Sequence, residues 1–142
     1  MSDAITAALR RAVRERAGRR CEYCRLAEED AFFPHEPDHV IALKHGGATD
    51  VMNLALACFD CNRYKGSDIA TLDPLTGALT ALFNPRAARW EDHFRPDGGE
   101  VVPQTSVGRA TTALLRLNKP SRVEVRAELA RAGRWPATVP RP

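Results

Sequence analysis

The sequence predicts an α+β fold in which a strand, a loop, a second strand and a helix form a small core. Two C-x₂-C pairs, Cys21/Cys24 and Cys58/Cys61, frame this core. The apolar run Leu54–Ala57 directly precedes the second pair and has the length of a buried strand. An amphipathic helix is predicted before the core. Further strands and helices are predicted after it, as a C-terminal appendage.

Length and composition favour one globular domain. A chain of 142 residues can bury a core of its own. Hydrophobic residues make up 44% and charged residues 27%, and the net charge of +3 is compatible with nucleic acid without requiring it. We expect a single domain over residues 1–142, with its core at about 19–67, a C-terminal extension at about 68–134 and a loosely ordered tail at 135–142.

The chain shows no sign of a membrane segment or a secretion signal. No apolar stretch approaches the roughly 20 residues that span a bilayer. The N-terminus is amphipathic, whereas a signal peptide has an unbroken apolar run. These features predict a cytoplasmic protein, and in a reducing compartment paired cysteines bind metal more often than they form disulfides.

A helix is predicted from residue 2 or 3 to residue 17, with Gly18 as its stop. Its apolar stripe, at helical spacing, consists of Ile5, Ala8, Leu9, Ala12 and Val13. The opposite face carries Arg10, Arg11, Arg14, Glu15 and Arg16. That face is interpreted either as solvated or as a surface that contacts phosphate.

The central stretch begins with a zinc knuckle at residues 21–24, followed by a loop at 25–37 with two prolines. Strands are predicted at 39–43 and within 51–57, with a turn at His45-Gly46-Gly47 between them. A helix should then run from Cys58 to about Tyr64, with Gly66 as its C-cap.

The later part of the chain reads as an alternation of turns, strands and helices. A turn at 73–77 precedes a strand at 78–83, and an irregular segment surrounds Trp90. A short strand at 101–102 leads to a helix that starts at Thr105 or Ser106 and ends near residue 117. A last helix is predicted at 123–132, capped by Ser121.

The cysteine spacing is the strongest chemical signal. Cys21, Cys24, Cys58 and Cys61 fit one tetrahedral Zn²⁺ site made of thiolates. Four thiolates leave no open coordination position, so this zinc is predicted to be structural. Disulfides or a redox pair are the alternative interpretation.

Asp38 and His39 suggest a second centre. A carboxylate suits a hard divalent cation, and a histidine that titrates near neutral pH suits a general base. Neighbouring side chains on a strand point to opposite sides, so one residue could face a metal and the other a water. Taken alone, an Asp-His pair more often contains a histidine without a catalytic role, either exposed at the surface or hydrogen-bonded in the core. The cysteine frame on both sides favours catalysis.

Residues 21–66 resemble the HNH endonuclease family, which has the ββα-metal fold and a subgroup stapled by four-cysteine zinc. The motifs that carry the resemblance are Asp38-His39-Val40-Ile41, His45-Gly46-Gly47, Asn53-Leu54 and Cys61-Asn62-Arg63-Tyr64-Lys65-Gly66. The resemblance implies that His39 is the general base and that Asn53 orients the loop and the base. It also implies that Asp38 and Asn62 hold a catalytic divalent metal, while the cysteines hold structural zinc.

The last signature position carries Asn62 where histidine is the other residue found in the family. An amide oxygen is a poorer ligand than imidazole for soft metals, which favours Mg²⁺ or Mn²⁺ at the catalytic position. The segments that resemble a bacterial subgroup of these proteins are 82–86, Trp90, 93–94 and 108–111.

Several basic residues are candidates for nucleic-acid contacts. Arg63 and Lys65 on the second predicted helix, and His45 in the turn, are placed to meet phosphate. His35 is expected to make loop hydrogen bonds and His93 to pack beside Trp90.

The sequence thus predicts a metal-dependent endonuclease that cleaves DNA, with duplex DNA as the first choice of substrate. A zinc-stapled nucleic-acid-binding module without catalysis is the main alternative. A structural zinc ribbon for protein contacts is the third, and neither alternative needs the Asp-His-Asn-Asn set.

Overall fold

The computed structural model describes residues 4–138. The helices are α1 (Ala7–Arg16), α2 (Phe59–Lys65), α3 (Trp90–His93), α4 (Ser106–Leu114) and α5 (Pro120–Arg131). The strands are β1 (Glu36–His39), β2 (Leu54–Ala57), β3 (Ala70–Leu72), β4 (Leu79–Ala81), β5 (Phe94–Asp97) and β6 (Glu100–Pro103). The predicted α+β fold, with a strand–loop–strand–helix core, is confirmed.

Strands β1 and β2 form a two-stranded antiparallel sheet. Glu36 pairs with Ala57 and His39 with Leu54. β2 lies where it was predicted, but β1 begins and ends earlier than the predicted 39–43, and residues 43–45 form a 3₁₀ turn. The partner strand determines this register, because β2 is buried along its whole length. Pro37 is tolerated in β1 since an edge strand does not need every ladder donor.

Helix α1 begins later than predicted. Thr6 caps it by accepting the Leu9 N–H at 3.1 Å, whereas Ser2 and Asp3 lie outside the described residues. Val13 is fully buried and packs with Leu54 and Leu56 of β2. The predicted stripe was too wide, because Ala8 and Ala12 are exposed.

Two arginines of the predicted arginine face of α1 are bonded within the protein, whereas Arg11 and Glu15 of the same face are exposed. Arg14 donates to the Glu28 carboxylate and to the His35 carbonyl. Arg16 donates to the carbonyls of Val51, at 2.6 Å, and Leu54. The two Arg16 bonds hold residues 51–54 against helix α1. They also supply donors to two backbone carbonyls that need them.

Helix α2 starts and stops as predicted. The Cys58 sulfur accepts the Cys61 N–H at 3.4 Å, which is an N-cap bond made by a sulfur atom. Gly66 ends the helix with φ = 52°, in the region where glycine is favoured.

Several elements of the C-terminal part differ from the predictions. The strand β3 was missed, the region around Trp90 forms α3 and β5 rather than an irregular segment, and α4 ends at Leu114. α5 begins at Pro120 without a side-chain cap, so Ser121 is not the N-cap. Proline at the first helical turn needs no N–H partner and starts the helix itself.

The main core joins the cysteine region to the C-terminal part. Its largest members are the buried aromatic and leucine side chains Tyr23, Phe83, Trp90, Phe94, Leu115, Leu117 and Trp135. The turn between β5 and β6 packs closely on α5, since a Cβ on Gly99 would lie 2.5 Å from the Ala127 nitrogen. This close approach requires glycine.

The predicted loose tail is corrected at Trp135. This side chain is buried and donates its indole N–H to the Cys24 carbonyl at 3.0 Å. Ala137 also bonds to Arg25 through its N–H. A large aromatic side chain with a satisfied N–H stabilises the segment around residue 135. Residues 139–142 lie outside the described part.

None of the helices within residues 4–138 has the length and apolar character needed to cross a membrane. The cytoplasmic location stays a prediction.

Asp73 locks the β3–β4 turn to α4. Arg109 donates to both carboxylate oxygens, at 3.0 and 2.8 Å, and these bonds are the main reason why the pKa of Asp73 is lowered from 3.8. Because the folded-state pKa is lowered, the ionised carboxylate stabilises the fold at pH values above its unfolded-state pKa. This stabilisation is lost progressively as the pH falls below about 4.

We therefore expect Asp73→Asn to lower the melting temperature by several degrees at neutral pH, because the bidentate pair is lost. The difference from the wild type should shrink as the pH falls below about 4, because Asp73 of the unfolded wild-type chain takes up a proton there while the folded carboxylate is still ionised. Thermal unfolding followed by circular dichroism between pH 2 and 7 measures it. A difference that grows toward acid pH would contradict the assignment.

Candidate active site and metal centre

The four cysteines converge on one point. All four side chains are buried and free of disulfides, and their sulfur atoms lie within 4.8 Å of one another. The sulfurs of Cys24 and Cys58 are 3.7 Å apart. A tetrahedral zinc with Zn–S bonds of about 2.3 Å requires S···S separations of about 3.8 Å, so the cluster fits such an ion. The cysteines are thus positioned to bind a metal, as a structural zinc site requires.

Backbone and thiol hydrogen bonds shape this cluster. Cys24 and Cys61 each direct their backbone N–H to the first sulfur of their own pair, at 3.4 Å. Hydrogen bonds from Cys21, Cys58 and Cys61 lower the pKa of the Cys24 thiol, whereas burial raises the pKa of the Cys21 and Cys61 thiols. The other three cysteines therefore favour the thiolate form of Cys24, the form that binds a metal ion.

A separate cleft of about 420 Å³ brings the predicted catalytic residues together. Asp38 and His39 from the end of β1 and Asn62 from α2 line the same cleft. Lys44 also lines it, from the loop after β1. The prediction that Asp38 and His39 serve one centre is compatible with this arrangement, although they are neighbours on a strand.

One ring nitrogen of His39 is held in place. Its Nε2 lies 2.9 Å from the Thr49 hydroxyl oxygen, which comes from the loop between the two strands. Among residues 4–138, no partner is found for the Nδ1 of His39. A neutral histidine whose Nε2 carries the proton has Nδ1 as its acceptor.

Asp38 is tied into the protein interior. The Tyr23 hydroxyl donates to its Oδ2 at 2.8 Å, and the Lys65 ammonium lies 3.1 Å from Oδ2 and 3.4 Å from Oδ1. Burial raises the pKa of Asp38, although the Lys65 charge and the Tyr23 hydroxyl act to lower it. Burial and the nearby carboxylate also raise the pKa of Tyr23, so Tyr23 remains a donor. A carboxylate has about four acceptor positions, so capacity remains for another partner.

Asn53 closes the loop that carries Thr49. Its side chain accepts the Ile41 N–H and donates to the carbonyls of Ile41 and Ala48, each at 2.9 Å. The loop also requires glycine, since a Cβ on Gly47 would lie 1.7 Å from the Ile41 oxygen. These hydrogen bonds of Asn53 fix the backbone just after His39, which is compatible with the predicted orienting role.

The Asn62 side chain remains available. It is half-buried at the cleft, and its amide has no hydrogen-bond partner within the part of the chain that the structure describes. Its backbone is fixed by the helix, where Asn62 receives the Gly66 N–H on its carbonyl. An amide held by a rigid helix but without a partner can act as an oxygen ligand for a hard cation.

Lys65 does not lie where a phosphate contact requires it. It is 1% exposed, and its ammonium is bonded to Asp38 and to the His39 carbonyl at 3.1 Å. The prediction that Lys65 meets phosphate is therefore corrected, because its side chain turns inward to pair with a buried carboxylate. Arg63 and His45 are exposed, and their predicted phosphate contacts stay predictions.

Two residues at the site were not predicted from the sequence. Lys44 is exposed at the edge of the cleft, and Thr49 contacts His39. The position of Lys44 in the sequence, between His39 and Asn53, could have indicated its role. The contact of Thr49 with His39 could not be predicted, because it depends on how the loop folds. His35 bonds to the Leu26 carbonyl and His93 to Thr105, as structural histidines do.

The match to a known family falls on the same stretch. Residues 21–68 match the model of the family described as HNH endonuclease. This segment is therefore an HNH domain, and the resemblance predicted from the sequence is confirmed over it. Comparisons with curated proteins and with solved structures find no match.

Removing Lys65 should leave Asp38 buried without a counter-charge. We expect Lys65→Met to lower the free energy of unfolding by about 3–5 kcal/mol, the range for breaking a buried ion pair. Urea unfolding measures the change. The matched control is Arg63→Met on the exposed side of the same helix, which should change stability by less than about 0.5 kcal/mol.

The double variant Asp38→Asn/Lys65→Met separates the pair from general packing. It should be more stable than Lys65→Met alone, because no unpaired charge remains. A double variant no more stable than Lys65→Met would show that the pairing is not the cause.

Proposed function

We propose that the protein is a metal-dependent endonuclease that hydrolyses phosphodiester bonds of DNA. The observation that carries this proposal is the shared cleft: Asp38, His39 and Asn62 line it together. The HNH match over residues 21–68 supports a role on nucleic acid. We also propose that residues 4–138 fold as one unit, which is supported by the core that joins the cysteines to the C-terminal helices.

His39 acts as the general base. In the tautomer that carries its proton on Nε2, His39 donates to the Thr49 hydroxyl, and Nδ1 is then the nitrogen that takes a proton from the attacking water. The hydrogen bonds of the Asn53 side chain keep the backbone after His39 in place, so that the His39 ring stays directed into the cleft. Positioning of this kind is needed for efficient proton transfer.

Asp38 and Asn62 hold the divalent cation, for which two oxygen ligands favour Mg²⁺ or Mn²⁺. When bound there, the cation supplies charge stabilisation for the phosphate and its leaving oxygen. Lys65 keeps the Asp38 carboxylate in place for this role. The four cysteines hold Zn²⁺ as a closed, structural site.

Duplex DNA is the proposed substrate. Lys44 at the cleft edge, Arg63 on α2 and His45 in the loop are exposed donors for phosphate oxygens. Contacts to phosphate give affinity without sequence selectivity. With a net charge of +3, binding should be weak and should fall as the salt concentration rises.

One observation favours a second candidate, a nucleic-acid-binding module without catalysis. The ammonium of Lys65 already neutralises Asp38 at 3.1 Å, and this weakens the pull of the carboxylate on a divalent cation. The two candidates differ in one measurable property, namely whether supercoiled plasmid is nicked in Mg²⁺ or Mn²⁺ and left intact in EDTA.

His39→Ala should reduce cleavage by about 10²-fold or more, because a positioned general base is lost. Asp38→Ala and Asn62→Ala should also lose activity, but high Mg²⁺ or Mn²⁺ should partly restore it. Asn53→Ala should show a smaller loss. Plasmid nicking measures the rates, with zinc content and circular dichroism as controls for folding. The catalytic proposal fails if wild-type protein nicks nothing with any divalent metal, or if His39→Ala nicks at the wild-type rate.

Thr49 should act as a positioning residue for His39. Thr49→Val keeps the shape of the side chain but removes the hydroxyl that holds Nε2, so the ring can adopt the wrong tautomer. We expect kcat to fall about tenfold, the equivalent of about one hydrogen bond, with KM little changed and the pH profile shifted.

Thr80→Val is the matched control, because the Thr80 hydroxyl donates to the carbonyl of Ala78 in the β4 region, away from the cleft. It should leave kcat and the pH profile unchanged. Equal effects of the two substitutions would remove the role assigned to Thr49.

A further inference from the structure

Helix α5 directs a buried arginine at the cysteine cluster. The Nη2 of Arg122 lies 3.0 Å from the Cys61 sulfur and 3.7 Å from the Cys58 sulfur, and the residue is 7% exposed. Its Nη1 donates to the carbonyls of Leu115 and Arg116, at 2.8 and 3.1 Å. The guanidinium thus connects two of the four sulfurs to the turn between α4 and α5.

The charge of this arginine matches what the cluster needs. Four thiolates around a divalent ion carry a net charge of −2, which is unfavourable in a buried site unless it is compensated. An arginine stays protonated and offers a rigid set of donors, so it can serve two sulfurs and two carbonyls at once.

A groove reaches the cysteine cluster beside this arginine. This groove, of about 450 Å³, is lined by Cys24 and Cys58 on one side and by Arg122 and Arg126 of α5 on the other. Arg122 therefore contributes to the wall of the groove that reaches the cluster.

We propose that Arg122 is part of the metal site, where it compensates the thiolate charge and retains the ion. The C-terminal extension then contributes to the cysteine site, since it supplies a positively charged donor to the Cys61 sulfur. Hydrogen bonds to ligand atoms are the way in which proteins tune a bound metal, and their loss reduces affinity by about 10–100-fold. The proposal does not depend on nuclease activity.

Arg126 provides a matched comparison on the same helix. It lies about one turn further along α5 and is 2% exposed. Its guanidinium donates to the carbonyls of Gly99 and Leu117, at 2.7 and 2.5 Å, and lies over the Trp135 ring. Arg126 is therefore buried to a similar degree as Arg122, but its hydrogen bonds go to oxygen atoms.

The test compares zinc release from full-length wild type, Arg122→Met, Arg122→Lys and Arg126→Met. Transfer of zinc to a coloured chelator gives the release rate. We expect Arg122→Met to release zinc at least about tenfold faster than wild type and Arg122→Lys to lie between them. Arg126→Met should lower thermal stability while releasing zinc at about the wild-type rate.

Cobalt substitution gives a second readout. The sulfur-to-cobalt charge-transfer band should shift in both Arg122 variants, because the donor to Cys61 is lost or altered, and it should stay unchanged in Arg126→Met. The proposal is overturned if the Arg122 variants release zinc at the wild-type rate, or if Arg126→Met accelerates release as strongly as Arg122→Met. It is also overturned if the wild-type protein binds neither zinc nor cobalt. Should Arg122→Met not fold, Arg122→Lys alone decides the outcome.

Discussion

The convergence of four sulfur atoms is the constraint on which the rest of the structure depends. The two cysteine pairs are separated by more than thirty residues of sequence, yet their sulfurs lie within 4.8 Å of one another. Cys58 is also the N-cap of α2, so the cluster fixes where this helix starts and how it points. Asn62 and Lys65 lie on that helix. The position of the candidate cleft therefore follows from the cysteine cluster, although the two sites share no residue.

Asp38 has to meet two demands that conflict. As a buried carboxylate it needs Lys65 and Tyr23, since an unpaired charge in the interior is strongly unfavourable. As a candidate metal ligand it needs to keep a lone pair directed at the cleft. The long contact of Lys65 to Oδ1, at 3.4 Å, shows how both can be met, because that oxygen has the weaker protein partner. Tyr23 and Lys65 thus hold the Asp38 carboxylate in place before any cation binds.

The sequence predicted the elements whose signals are local. β2 is an apolar run, and α2 lies between a cysteine cap and a glycine, so both were found with nearly correct ends. β1 was misplaced because its register depends on β2, and no residue within 36–39 marks its start. Lys65 was read as a surface residue because a lysine on a short helix gives no sign of a buried partner 27 positions away. Contacts between distant segments determined what the local patterns could not.

The C-terminal extension solves a problem that the tight cysteine turn creates. The carbonyls of Tyr23 and Cys24 are buried in this turn and need donors, since an unpaired buried carbonyl is unfavourable. Trp90 donates to the Tyr23 carbonyl at 2.9 Å, and Trp135 donates to the Cys24 carbonyl at 3.0 Å. Both donors come from outside residues 21–68, the segment that matches the HNH family. Without the extension, these two carbonyls would have only water as a partner. The apolar surfaces that pack against the two indole rings would then be exposed. The extension is therefore part of the environment in which the HNH segment folds.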